Sequence, residues 1–155
     1  MTRRDRAIAW GLVCAALLAC GACSCEEVPQ RLPTVNVKMG SRIVSVEVAS
    51  TDEQRAMGMK FRRELGPDEG MLFVFPRERG LSFYMKDTPS PLSIAFLRAD
   101  GLILNIAHME PLSLASRRSR LPCRYALEMP QGWFNRQGVK EGDRVELPER
   151  LPQAE

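Results

Sequence analysis

Two runs of alternating side chains flank a two-residue turn, and this pattern limits the possible folds more than any other feature of the chain. Val35, Val37 and Met39 alternate with polar residues, Gly40-Ser41 follows, and Val44, Val46 and Val48 alternate again. Period two lines up one set of side chains on one strand face, and a glycine in the first turn position tolerates positive φ. The segment predicts a β-hairpin. Downstream, short apolar runs repeat the theme: Gly70 to Phe75, Leu81 to Met85, Leu92 to Arg98, Leu102 to Ala107, Tyr125 to Met129 and Asp143 to Leu147. Pro76 to Gly80, Thr88 to Pro91, Asp100-Gly101 and Gly138 to Gly142 supply the turns. Between hairpin and strands, Thr51-Asp52-Glu53-Gln54 reads as a capping box. It opens a short helix over about residues 52–63, with Ala56, Met59 and Phe61 inward and Gly66-Pro67 as the stop. Roughly eight strands and one helix predict a mainly β fold: an antiparallel sandwich, jelly-roll-like or barrel-like, in a single domain.

At 155 residues, 45% of them hydrophobic, the chain supports one core and no second catalytic domain. The domain is expected over residues 34–150, with a short tail over 151–155. Of the formal charge of +3, Arg3, Arg4 and Arg6 against Asp5 supply +2, so the remainder is nearly neutral. A nucleic-acid binder needs basic residues gathered on one face. Arg117, Arg118 and Arg120 come nearest, and they read as a solvated loop.

The first residues have the layout of an export signal. Arg3, Arg4 and Arg6 precede thirteen uncharged, mostly apolar residues, Ala7 to Ala19. Leu17-Leu18-Ala19-Cys20 then resembles a bacterial lipobox, in which the cysteine thiol is acylated before cleavage. This predicts a signal peptide over residues 1–19, lipid on Cys20, and a lipid-anchored linker over 20–33, which contains Pro29 and Pro33. Gly21 in the second mature position resembles lipoproteins sent to the outer membrane and facing the periplasm. An uncleaved anchor is the competing reading, since the uncharged run extends to Cys25. Besides Cys14 in the signal and Cys20, the chain has Cys23, Cys25 and Cys123, enough for one disulfide in an oxidising compartment.

From Val35 to Leu147 the chain resembles the domain of unknown function 192 family, a group of small bacterial and archaeal proteins. The resemblance rests on Gln54-Arg55-Ala56-Met57-Gly58-Met59-Lys60-Phe61-Arg62, Gly70-Met71-Leu72-Phe73-Val74-Phe75, Phe83-Tyr84-Met85-Lys86-Asp87-Thr88, Pro91-Leu92, Leu127-Glu128 and Gly132-Trp133, in that order. It implies a mainly β, jelly-roll-like sandwich and no established activity. Members of the family usually have Trp and Asn where this chain has Tyr84 and Asp87, and Asp where it has Ser93.

The candidate ligand pocket is drawn from polar residues beside apolar sequence: Arg62, Lys86, Asp87, Thr88, Glu128 and Trp133. A charge next to core is costly unless paired. These groups therefore either close on one another as structural ion pairs or surround a concavity that recognises a small polar ligand. Trp133 is a core anchor or an aromatic platform for that ligand. Catalytic alternatives are an envelope hydrolase or carbohydrate-active enzyme using Asp87 and Glu128, or His108, the single histidine, with Cys123 as nucleophile. Met57, Met59, Met71, Met85 and Met109 with His108 could be drawn as a copper site, but their apolar positions suit core. The overall expectation is a noncatalytic binding or accessory module of the cell envelope. It needs no metal or cofactor, is held to the membrane through Cys20, takes a small polar ligand or an envelope protein, and binds no nucleic acid.

Overall fold

The computed structural model describes residues 28–155. Cys14, Cys20, Cys23 and Cys25, with the expected export signal and most of the expected linker, lie outside the described residues. The hairpin forms as its alternation requires. β1 (Thr34–Met39) and β2 (Arg42–Ala49) pair antiparallel from Thr34 with Glu47 to Met39 with Arg42. Gly40 takes φ 58° in the turn, a value open to glycine at no steric cost.

β2 leads through residues 50–69 into β3 (Gly70–Arg79), which pairs with β2 in parallel. This is the one departure from antiparallel order in the large sheet, and its cause is the long connection: a parallel partner needs a crossover, and residues 50–69 provide it. The remaining strands are β4 (Ser82–Phe83), β5 (Leu92–Leu97), β6 (Ile103–Met109), β7 (Arg117–Arg118), β8 (Cys123–Pro130) and β9 (Val145–Glu146). Seven form one curled sheet in the order β6-β5-β8-β3-β2-β1-β9, while β4 and β7 make a separate two-stranded ribbon. The fold is mainly β, as expected, built as a half-barrel with two short helices.

Both faces of the sheet are covered. One carries Val46, Val48, Leu72, Val74, Leu127, Met129 and the pair Trp133 and Phe134 from α2 (Trp133–Arg136). The other carries Met59, Met71, Phe73, Met85, Ile94, Phe96 and Ala126. Strands β3, β5 and β8 are enclosed from both sides. Their sequences, GMLFVF, LSIAFL and CRYALEMP, accordingly read as near-continuous apolar runs with little alternation.

Several local expectations change. The Thr51 capping box is present, with Thr51 Oγ1 accepting from the Gln54 N–H and Gln54 Oε1 from the Thr51 N–H. The helix it opens, α1 (Asp52–Met57), stops six residues before Arg63. Gly58 ends it, at φ 51° and with its N–H on the Gln54 carbonyl, so Gly66-Pro67 plays no part in the stop. Ala56 is exposed, Phe61 half-buried, and only Met59 points fully inward. The Arg117-Arg118 segment is a strand, paired with Ser82 and Phe83, and Arg120 is bound to Glu141 at 2.6 Å. Parts of the expected linker and tail are tied to the domain: the Leu32 N–H donates to Glu47 at 2.7 Å, and Leu151 and Ala154 pack on the first core.

Candidate functional site

Register places the buried charges. Glu47 on β2 faces Met71 on β3, Met71 faces Glu128 on β8, and Glu128 faces Ile94 on β5. The row crosses the second face of the sheet, so Glu47 and Glu128 share that face two strands apart. Residues 50–69 and 81–90 run over it, bringing Arg62 down onto the row. The two carboxylates then meet different fates.

Arg62, 2% exposed, is bound on three sides. Its guanidinium donates to Glu47 Oε2 at 2.8 Å, Glu69 Oε1 at 2.9 Å and the Gln30 carbonyl at 2.7 Å. Arg31 adds a second cation from the solvent side, 2.6 Å from Glu69. The corner thus holds two guanidiniums and two carboxylates. Burial works to raise Glu69, but the Gly66 N–H and the neighbouring Arg31 and Arg62 outweigh it and hold the carboxyl below its usual range. Ser90 Oγ donates to the Arg62 carbonyl at 2.6 Å, fixing the backbone as well.

Glu128 is 4% exposed, and no hydrogen bond or ion pair reaches its carboxyl among the described residues. Its cross-strand neighbours Met71 and Ile94 are apolar. Burial there pushes the carboxyl up to about 8, against a weaker opposing pull from Arg62. At neutral pH Glu128 is therefore mostly a neutral acid, one O–H donor and acceptor oxygens held in apolar surroundings. It lies at the floor of a cavity of about 260 Å³. Met59, Phe73, Leu81, Phe83, Met85 and Thr88 form the walls, with the largely buried Arg55, the half-buried Lys60 and, at the solvent side, the exposed Arg79 and Tyr84. Phe83 stacks edge-on against Phe73 at 4.9 Å, which fixes the ribbon as one side of the opening.

Of the six residues expected to share a pocket, Thr88 and Glu128 line this cavity and Arg62 stands behind it. The other three lie elsewhere. Lys86 is exposed, and Asp87 lines a different concavity with Phe61 and Leu112. The reason is the turn that both occupy: Asp87 adopts φ 57° and its carbonyl accepts the Phe61 N–H, turning its side chain away from the sheet. Asp and Asn are the non-glycine residues that best tolerate this conformation, so Asp87 is a sterically equivalent substitute for the family's usual Asn. Trp133 is a core anchor, 1% exposed, its indole N–H donating to Asp68 at 2.7 Å. That hydrogen bond leads the influences that hold Asp68 below the usual carboxylate range.

The groups in the catalytic alternatives stand apart. Asp87 and Glu128 open into separate concavities. His108 is exposed on β6, its Nδ1 2.9 Å from Ser93 Oγ, and Ser93 itself is fully buried and accepts the Gly132 N–H at 3.0 Å. Cys123 lies six residues from Met129, the β8 partner of Ser93, so His108 and Cys123 are separated by about 20 Å of strand. Burial also pushes the Cys123 thiol up, away from thiolate. Met59, Met71, Met85 and Met109 are core residues on the second face.

Sequence reasoning missed Glu47, Glu69, Lys60 and Arg79. Glu47 occupies the polar phase of the hairpin and looked solvated. Alternation shows which side chains share a face and leaves open whether another segment covers that face.

Comparison with known proteins agrees with this architecture. No curated protein matches the chain significantly. A crystal structure of a proposed transcription regulator from Sinorhizobium meliloti 1021 is 38% identical, with a TM-score of 0.69 over 77% of this chain and 96% of that one. A protein of unknown function from Novosphingobium aromaticivorans DSM 12444 is 34% identical, with a TM-score of 0.71 over 75% of this chain and 86% of the other. The sequence profile of the domain of unknown function 192 family, described as an uncharacterised ACR, matches residues 34–147, most of the chain, and the protein belongs to that family.

Proposed function

We propose that this protein is a lipid-anchored, noncatalytic binding or accessory module of the cell envelope whose ligand site is the cavity above Glu128. One observation carries the site: a carboxyl 4% exposed, with no hydrogen-bond partner among the described residues, at the floor of an open concavity. The carboxyl reaches the cavity and is not sealed off from it, so a ligand able to hydrogen-bond it would make a contact that the protein leaves open, worth roughly 0.5–1.5 kcal/mol. Thr88 in the wall offers a second polar group. The envelope address rests on the basic start, the apolar run and the Leu17-Leu18-Ala19-Cys20 motif. A regulatory role on nucleic acid, which the Sinorhizobium description would suggest, draws no support from a body of 19 Lys and Arg against 18 Asp and Glu from residue 20 onward.

A screen of small polar and aromatic compounds against the full chain, followed by methyl NMR, tests the site. Binders should shift Met59 and Met85, and hits that all map elsewhere would remove the cavity from consideration. Metabolic labelling with palmitate tests the anchor. Label should be incorporated and should disappear in Cys20→Ala; label that persists in the variant would show the lipid assignment to be wrong.

A further inference from the structure

The charges around the cavity are unequal, and their imbalance narrows the ligand. Arg55, Lys60 and Arg79 line it together with one exposed carboxylate, Asp52. Arg55 is already committed: it donates to the Val74 carbonyl at 2.7 Å, pairs with Asp52 at 2.6 Å and lies 5.0 Å over the Phe75 ring. Lys60 and Arg79 have no ion-pair partner among the described residues, and Arg79 lies 5.7 Å over the Phe75 ring. Two cations without an ion-pair partner thus line the site toward solvent, aromatic rings form the walls, and the Glu128 carboxyl is the most deeply buried acid. The polarity is ordered along the depth of the site: positive outside, apolar between, hydrogen-bonding at the bottom.

Resting on the reading of this cavity as the ligand site, we propose that it takes a small organic acid with a ring-sized apolar body, its carboxylate held at the mouth by Lys60 and Arg79 and a hydroxyl or carbonyl group reaching Glu128. Size agrees with this class. A cavity of about 150 Å³ admits benzene, and this one, at about 260 Å³, has room for a ring with two substituents. The orientation follows from desolvation. A carboxylate carried to the floor would lose its water beside Met71 and Ile94, whereas at the mouth it keeps solvent and gains two cations. A ligand hydroxyl suffers far less from burial and can both donate to and accept from the Glu128 carboxyl. An ammonium ligand would have to pass two cations of its own sign.

Three probes of one shape separate these contributions: 4-hydroxyphenylacetate, phenylacetate and tyramine, titrated into the full chain and followed at the Met59 and Met85 methyls. The hydroxy acid should bind best. Phenylacetate, lacking the hydroxyl, should bind about 3- to 10-fold more weakly, the equivalent of one neutral hydrogen bond, and tyramine more weakly than either. Glu128→Met, which replaces the acid by an apolar side chain of similar shape and should fold, ought to erase the advantage of the hydroxyl while leaving acid preferred over amine. Lys60→Gln with Arg79→Gln, at a half-buried and an exposed position, ought to erase the preference for acid and leave the advantage of the hydroxyl. Tyramine binding as well as the acids, with shifts at Met59 and Met85, would overturn the organic-acid assignment and leave the cavity reading intact. Shifts absent for all three probes would overturn both.

Discussion

Arg62 and Glu128 are buried charge-bearing residues on one face of the same sheet, yet their surroundings are opposite. Around Arg62, two guanidiniums meet two carboxylates and the backbone carbonyl of Gln30, so both terminal nitrogens of Arg62 are paired and only its Nε–H is left without a partner among the described residues. Around Glu128 there are apolar neighbours and open space. Sequence marks both in the same way, as a charge amid apolar residues. The difference is whether the fold pairs the charge. A paired ion cluster holds the crossover of residues 50–69 onto the sheet, and an unpaired carboxyl is the group to which the proposed ligand would bind.

The contrast is tested most severely by removing the centre of the closed corner. Arg62→Met should cost about 3–5 kcal/mol in urea denaturation, because Glu47 and Glu69 would be left partly buried without their shared cation. A loss below about 1 kcal/mol would mean that the corner does not act as a clamp on the crossover.

Glu128 should behave differently, through pH. Burial pushes its folded carboxyl up to about 8 from an ordinary value of 4.5. Below pH 4.5 both folded and unfolded chains hold the proton, so Glu128 adds no pH dependence. Between 4.5 and 8 the unfolded chain releases the proton while the folded chain keeps it, so stability falls as pH rises. Above 8 both are ionised and the loss levels off. The slope is at most about 1.4 kcal/mol per pH unit, or up to roughly 4 kcal/mol between pH 5 and pH 8. Glu128→Gln should lack this component, so its advantage over the wild type should widen from pH 5 to pH 8 in parallel denaturation curves. Parallel pH profiles for the two proteins would place Glu128 in a wetter or better-paired site than the cavity floor.

How far the contrast was readable beforehand depends on range. The hairpin at Gly40-Ser41 and the Thr51 capping box are local features whose residue types specify their geometry, and both form as expected. The early end of α1 is also written locally, in Gly58, but Gly66-Pro67 is the louder stop in sequence and points to a boundary six residues too late. The parallel pairing of β2 with β3 was not readable, since hydrophobic alternation is silent about strand direction. Arg62 and Glu128 were both identifiable as charges needing an explanation. Their partners were not: Glu47 sits in the polar phase of a hairpin, and only the crossover, closing over it from residues 50–69, turns that phase inward. Adjacency to Met85 points Lys86 and Asp87 toward the pocket, and a positive φ at Asp87, invisible in sequence, sends them elsewhere.

The smallest expected effect lies within the closed corner itself and sharpens what closure means. Arg31 and Arg62 both bind Glu69, at 2.6 and 2.9 Å, but their side chains are 65% and 1% exposed. Distance alone would rank them alike. In water, however, an ion pair gains little, because solvent screens the attraction and a long side chain loses freedom in holding one geometry. Arg31→Ala should therefore cost only about 0.2–1 kcal/mol, and the cost should shrink further as salt is raised toward 1 M, where screening reaches about 3 Å. Arg62→Met should lose nearly the same stability at low and high salt, because its partners are held where ions do not penetrate. If the two variants respond to salt alike, then exposure is not what distinguishes them, and Arg31 belongs to the clamp as fully as Arg62 does.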